Sequence, residues 1–592
     1  MGEKLIEITY EGTRTVFKTR CIRHKFSVLF FVFLICYYGY TISRAYGFTF
    51  FPDEFGYWSY AARVAGYDWS DITALGSFYS YGYSLILFPI FILFHNAVTA
   101  YRVAVTLNFL FLGAAYWLLV HIQNNLNIHA RTEKKELFAA IAVLYPTWLF
   151  YARSTMVENV LVFCFVLSCY LLQEYKKRRE LHYLAGFVMT LAYMYFLHMR
   201  TVGVLIAGII SLIVLMILKP VKSENRDKLI HILIIAIVMG ILLVLGYIIK
   251  KVIGHSLYGS NTENVNINDY AGQFHKIAYF FTKEGMWNGL CGLAGKLVYT
   301  EIASYGLAWM GFWRMLKGIR RKSNHTVLYV YVGLSLLAEI VISTIFNIKP
   351  YRVDGVVYGR YHEFIFPVLM IIGLWELIYG SRIFTKLGIL IAAHLPLTWM
   401  AASMIEHYNL TNIHGYVMIG MSFLHHVGDM EPAKMIWWTY LVHIVAAVLV
   451  TAAVVRTRRT KKWNFLIIGI WALEIVLAMR ASSIYLDVSA KGAFRDTFIV
   501  DKIEELHTEN PEGRILYIDE NENTIISIIQ FMLRDEDIVV LPKKAALEEY
   551  SATEMSPDDM VLIDYRSDYG AELEKMYNCN VMNGHFILYY NK

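Results

Sequence analysis

Two superimposed patterns constrain this chain more than anything else: apolar runs of membrane-spanning length, and clusters of Lys and Arg in every second connection between them. A spanning helix needs about 20 mostly apolar residues, and the short turns left in the cytoplasm carry the excess of basic side chains. The 592 residues are 57% hydrophobic and 17% charged, against about 25% charged in an average soluble domain. A polytopic membrane protein is expected. The net charge of +6 is small for the length and gives no concentrated basic surface of the kind nucleic acid requires. The six cysteines are scattered, without metal-ligand spacing.

Threading both patterns together gives one register. The segment 1–25 is polar and basic and is expected inside, so the run from Phe26 is an anchor rather than a cleaved signal. A first external loop, 45–101, follows, within which Leu85 to Phe94, interrupted by Pro89, is expected to lie in the interface. Basic turns then recur at His129–Lys135, Lys176–Arg179, Lys219–Lys228, Lys317–Lys322, Arg382–Lys386 and Arg456–Lys462. Further external loops are expected at Lys250–Tyr299 and Glu406–Lys434. About thirteen crossings satisfy the rule that the basic turns share one side. The membrane domain is therefore expected over 26–479, with 480–592 exported.

From Arg480 the composition becomes that of a soluble domain. Arg514–Ile518, Asp537–Leu541, Met560–Asp564 and Phe586–Tyr590 have strand length and character, with helix-like stretches at Ile525–Leu533 and Lys544–Tyr550 between them. Alternating strands and helices predict a small extracytoplasmic α/β domain.

Charged residues next to membrane ends on the outer side mark the candidate site. Asp53 and Glu54 follow Pro52 where the chain leaves the first apolar run, and an acidic pair there is costly unless solvated, paired or used. The same residues also make a good helix start, since Pro suits the first turn and acids favour the positive end of the helix dipole. Glu158, Arg200 and the loop holding Arg352, Asp354, Arg360 and Glu363 end or begin other helices. Glu158 could equally be a helix-start acid, Arg200 a snorkelling arginine, and Arg360 with Glu363 an ordinary i, i+3 pair. Arginine offers a planar fork to phosphate oxygens, and a carboxylate suits a general base for an acceptor hydroxyl. Tyr57, Tyr81 and Tyr83 suit an interfacial belt or stacking under a sugar ring. His407, His414, His425 and His426 lack a tight ligand pattern, and no metal is assigned.

These residues carry a resemblance. A first transmembrane helix, then Pro-Asp-Glu-Phe-x-Tyr at 52–57, an amphipathic first loop, Ser-x-Met-x-Glu at 154–158, a basic residue at 200 and Gly-Arg-Tyr at 359–361 resemble the GT-C glycosyltransferases. The layout is similar to that of the protein O-mannosyltransferases and, more closely, of the bacterial transferases that move aminoarabinose onto lipid A. The resemblance implies a GT-C-like fold and inverting transfer of a sugar from a polyprenyl-phosphate donor to an envelope lipid, glycan or protein on the extracytoplasmic face of the cell membrane, with no nucleotide-sugar site. It implies Asp53 as catalytic base with Glu54 in support, Glu158 as the second acid, and Arg200, Arg360 and Arg352 on the donor phosphate. Glu158 stands where Asp is frequent, and Tyr81-Gly82-Tyr83 departs from the His-Pro-Pro pattern of related enzymes, so the acceptor stays open. Members of the class differ in metal dependence, and a divalent cation stays open too.

Two other readings compete. A flippase or transporter of lipid-linked saccharide should hold ionisable residues near the midplane, in helices broken at matching points of a repeat. Here the acids cluster at the outer ends, with Glu339 in a helix interior and Glu376 near an inner end as exceptions that can bond neighbouring helices. A polymerase or ligase of envelope polysaccharide would use a similar donor and differ in acceptor length.

Overall fold

A computed structural model describes residues 24–592 except 50, 77–79, 127–130, 219–225, 259–269, 427–429, 459, 461, 521–522, 545–546 and 551–553. The basic segment 1–23 and parts of the turns at 129 and 219–225 thus lie outside the described residues, as do Phe78, Tyr79 and the side chains of His425 and His426.

The chain forms a multi-pass helical membrane domain followed by a small sheet domain. Among the described residues eight helices have the length and apolarity of a span: Lys25–Ile42, Ala97–Asn125, Met199–Leu218, Ile235–Tyr258, Thr326–Phe346, Ile383–His407, Pro432–Thr457 and the long run beginning at Trp463. Other expected crossings fall on helices that are shorter or carry more charge, such as Leu181–Leu197, Leu307–Arg320 and Phe366–Tyr379. Phe366–Tyr379 is almost wholly enclosed, so it packs on protein along its length. Lipid-facing helices show the opposite pattern. On Pro432–Thr457 the exposed Trp438, Leu441, Val445 and Leu449 recur every three or four residues and form one apolar stripe.

Two expectations need correction. The stretch Leu137–Tyr151 is not one helix: Thr132–Val143 ends before Pro146, which opens a separate turn, Pro146–Tyr151, because Pro excludes the helical conformation from the residue before it. The stretch Lys250–Tyr299 is not a loop: Arg226–Tyr258 runs through its start, and Tyr270–Phe280 and Lys283–Ala303 fill its end. Its glycines are packing residues. A Cβ on Gly295 would stand 2.4 Å from the backbone oxygen of Val356, so the two segments touch only because no side chain intervenes.

The first loop folds as a helical cap made of Pro52–Ala65, Ser70–Leu75 and Ser84–Leu93. The C-terminal domain has five strands, β1 (Ile515–Asp519), β2 (Ile538–Pro542), β3 (Met560–Asp564), β4 (Cys579–Asn583) and β5 (Phe586–Tyr590), in the order β2-β1-β3-β5-β4. β1 pairs in parallel with β2 and β3, and β5 runs antiparallel to β3 and β4. β4, whose residues are half-buried or exposed, is the strand without a signal in the sequence, since an edge strand needs no apolar run.

The domain docks on the cap. Trp69 Nε1 donates to the Arg534 carbonyl at 3.1 Å, the Arg534 guanidinium donates to the Phe94 carbonyl at 2.6 Å, and Val540 N donates to Asp71 at 3.0 Å. Phe531 stacks on Phe48 with ring centres 4.0 Å apart.

Candidate active site

The helix Pro52–Ala65 begins as its residue types predict, with Pro52 in the first turn and Asp53 and Glu54 beside it. The two acids then part company. Glu54 turns inward, is 0% exposed, and accepts from Thr49 N and Oγ1 at 2.9 and 2.5 Å, from Thr155 N and Oγ1 at 2.7 Å each, and from Tyr101 at 2.9 Å. It fastens the cap helix to the end of the first span, to Ala97–Asn125 and to the turn ahead of Glu158. Burial raises its pKa against the hydrogen bonds from Thr49 and Thr155, which lower it.

Asp53 faces the arginines. Arg360 donates through Nη2 to Asp53 at 2.7 Å and through Nε to Glu158 at 2.6 Å, and Arg200 donates through Nη2 to the same Glu158 oxygen at 3.3 Å. Arg360 is therefore not paired with Glu363, and Arg200 does not snorkel: it is 2% exposed. Burial works against the charge on Arg360, but Glu158 and Asp53 outweigh it and hold its pKa well above the ordinary value. Arg200 lies over the Tyr361 ring at 4.8 Å, and its Nε and Nη1 have no hydrogen-bond partner among the described residues. Two buried donors thus stand ready for an acceptor oxygen.

The Gly-Arg-Tyr segment needs its glycine. A Cβ on Gly359 would lie 1.9 Å from the Tyr299 ring, so any side chain there would displace Arg360. Tyr57 is buried, with its ring edge-on to Tyr83 at 5.5 Å; burial, then Asp53 and Glu158, push its phenol well above the usual range. Tyr81 stacks on Phe196 in a separate small cluster with Tyr60, Leu257 and Tyr258. Arg352 is bonded to Asp354 at 3.2 Å through Nε and 3.1 Å through Nη2, and Asp354 in turn accepts from His414 N at 3.0 Å. Arg352 is thus held by its own loop rather than by Asp53 or Glu158.

Sequence reasoning named Glu363 only as a member of the Arg360 loop and missed its own set of hydroxyl donors. Glu363 is buried behind Tyr151 and accepts on one oxygen from Tyr145, Thr147 and Tyr299 at 2.9, 3.0 and 2.6 Å. Burial, opposed by those three hydroxyls, pushes it up to about 7. The signal was the Pro146 break, which turns Tyr145 and Thr147 toward this loop. Arg153 is also unforeseen. It pairs with Asp487, which further accepts from Tyr40 at 3.1 Å, tying the turn before Glu158 to the segment that leaves the last long helix. Glu376 pairs with Arg314 and Lys386, as a helix-bonding acid should. Among the described residues no group of three or more His, Cys, Asp or Glu has metal-holding geometry.

No family model and no curated protein matches the sequence. Solved structures do. The crystal structure of ArnT from Cupriavidus metallidurans bound to undecaprenyl phosphate superposes with a TM-score of 0.52 at 13% identity, covering 95% of this chain and 97% of that one. ArnT in the apo state gives 0.50 at 12%, with the same coverage. The likeness extends over both domains and shows the fold: the chain is folded like ArnT.

Proposed function

We propose that this fold houses an inverting glycosyltransferase that takes a sugar from a polyprenyl-phosphate donor and delivers it to an envelope acceptor on the extracytoplasmic face. The observation that carries the reading is Arg200: a buried guanidinium at the mouth of the spanning helices, with two N–H groups unpaired and a carboxylate pair beside it. Undecaprenyl phosphate in the ArnT structure supports a lipid phosphate as the group those donors meet.

The chemistry follows from the charges. Asp53 and Glu158 balance Arg200 and Arg360, so an incoming phosphate diester competes with the carboxylates for Arg360. As Arg360 turns to the phosphate, Asp53 gives up that ion pair and serves as the general base. The acceptor hydroxyl attacks the anomeric carbon from the face opposite the phosphate and passes its proton to Asp53. The carbon–oxygen bond to phosphate breaks, and the lipid phosphate leaves with its charge held by the two arginines. Tyr57 and Tyr83 border the acids and supply a wall for the sugar; Tyr81 and Arg352 lie further out. The basic turns favour an inside N-terminus, with the cap and the sheet domain outside.

The test is transfer of radiolabelled sugar from a panel of polyprenyl-phosphate sugars in proteoliposomes. Asp53→Asn is expected to lose about 10²- to 10⁴-fold in turnover, the scale of a lost general base, while retaining donor binding; Arg200→Ala is expected to weaken donor binding. Label that crosses the bilayer untransferred, with Asp53→Asn indifferent, would overturn the reading in favour of a transporter.

A further inference from the structure

A polar cavity lies at the other end of the helix that begins with Glu158. Its volume is about 340 Å³, and its lining includes Asn124, Asn125, Gln173, Lys176, Lys177 and His325, which puts it within the roughly 300–1,000 Å³ of small-molecule sites. Glu158, in the candidate active site, opens the helix Glu158–Arg178 and Lys176 closes it; eighteen residues at the helical rise separate them by about 27 Å. This cavity therefore faces the opposite membrane surface.

Its lining is selective. Gln173 is 9% exposed, and neither its amide oxygen nor its amide nitrogen has a hydrogen-bond partner among the described residues. A buried amide left unpaired on both atoms is costly unless something fills the space beside it. Lys176 and Lys177 bring positive charge, and Lys135 adds more by donating to Asn124 at 2.8 Å. The first turn of Thr326–Phe346 borders the cavity through Val327 and Leu328, and a helix start favours an anion. Among the described residues no carboxylate lines it. Glu174, next to Gln173 in the chain, is engaged by Asn125 at 2.6 Å and by Arg178 at 2.8 Å. The unpaired Gln173 Oε1 is an acceptor that calls for a hydroxyl donor.

We infer that this cavity binds a phosphate ester carrying free hydroxyl groups, with the phosphate between Lys176, Lys177 and the Gln173 amide N–H, and a hydroxyl on Gln173 Oε1. Two sources offer that chemistry: the headgroup of a hydroxylated anionic phospholipid in the facing leaflet, or a soluble polyol phosphate. The inference is independent of the transfer reading, and its test does not use transfer activity.

Purified full-length protein in detergent is examined by native mass spectrometry and equilibrium binding with phosphatidylglycerol, phosphatidylcholine and glycerol 3-phosphate. Wild type is expected to retain one phosphatidylglycerol or one glycerol 3-phosphate and no comparable phosphatidylcholine. Retention of phosphatidylglycerol alone identifies the lipid source, and binding of glycerol 3-phosphate in lipid-stripped protein identifies the soluble one. The double variant Lys176→Ala/Lys177→Ala is expected to weaken binding about tenfold or more, as loss of two charge-assisted contacts should. Gln173→Leu is expected to weaken binding while leaving the unfolding temperature unchanged or raised, because the amide has no partner in the fold to lose. Binding no stronger than to phosphatidylcholine, binding unaffected by the double variant, or a Gln173→Leu protein that is less stable yet binds normally would each overturn the assignment.

Discussion

At the scale of single residues, the adjacent acids Asp53 and Glu54 show how position on a helix start divides labour. Successive side chains on a helix point about 100° apart, so one acid meets the arginines while the other is buried among five donors. Two of those donors are backbone N–H groups on different carboxylate oxygens. The amide of Glu54→Gln must set its NH₂ against one of them whichever way it turns. A loss of about 2–3 kcal/mol in unfolding free energy is expected, the cost of an unsatisfied buried group, along with weakened activity. Glu363 behaves differently because its donors are hydroxyls, which can rotate to accept. Its folded pKa of about 7 stands above its ordinary 4.5, so the folded state favours the protonated form. That stability is fully present below about pH 4.5, falls as pH rises through 7, and amounts to about 3 kcal/mol across the window. Thermal unfolding of wild type should show this slope, and Glu363→Gln should flatten it. The candidate acids and arginines were legible in the sequence because charge at a membrane boundary is rare and costly. Their pairing was not, since Arg360 lies 307 residues from Asp53 and 202 from Glu158.

At the scale of elements, the hydropathy pattern found the long apolar helices and missed Lys283–Ala303, a helix rich in small residues. Lys283–Ala303 carries Gly285, Gly289, Gly292 and Gly295, and in water such a run signals a loop. Inside a membrane bundle small residues let backbones approach, so the same letters mean a tightly packed helix. The two meanings separate by experiment. Gly295→Ala would drive a Cβ to 2.4 Å from the Val356 carbonyl, whereas at Gly292 the nearest atoms stand at 3.7 Å. The first substitution is expected to cost about 1–3 kcal/mol through overpacking and to lower transfer by shifting the loop that carries Arg360. The second should stay within about 0.5 kcal/mol of wild type in the same unfolding measurement.

At the scale of the whole molecule, the sheet domain and the first loop form one continuous aromatic interior. Arg534 lies 3.9 Å over Phe91 while bonding the Phe94 carbonyl, and Trp69 packs edge-on to that same Phe91 at 5.5 Å. The strand-length apolar runs from 515 onward made the sheet domain legible; its union with the cap was invisible, because no local pattern records which aromatics will meet. Because the Trp69 ring and the Arg534 guanidinium both pack on Phe91, a double-mutant cycle with Trp69→Phe and Arg534→Ala is expected to show coupling of about 0.5–3 kcal/mol rather than additivity.

The long separation between Asp53 and Arg360 also bears on how the protein is made. Synthesis delivers Asp53 and Glu158 to the membrane first, Arg200 next and Arg360 much later, while the contact between Trp69 and Arg534 spans 465 residues and forms only when the chain is almost finished. Until Arg360 arrives, nothing joins Asp53 to Glu158 through one guanidinium, and the cap lacks the domain that docks on it. The candidate site is thus assembled last from parts inserted first, and a nascent chain interrupted anywhere ahead of residue 360 holds its acids without the arginine that links them.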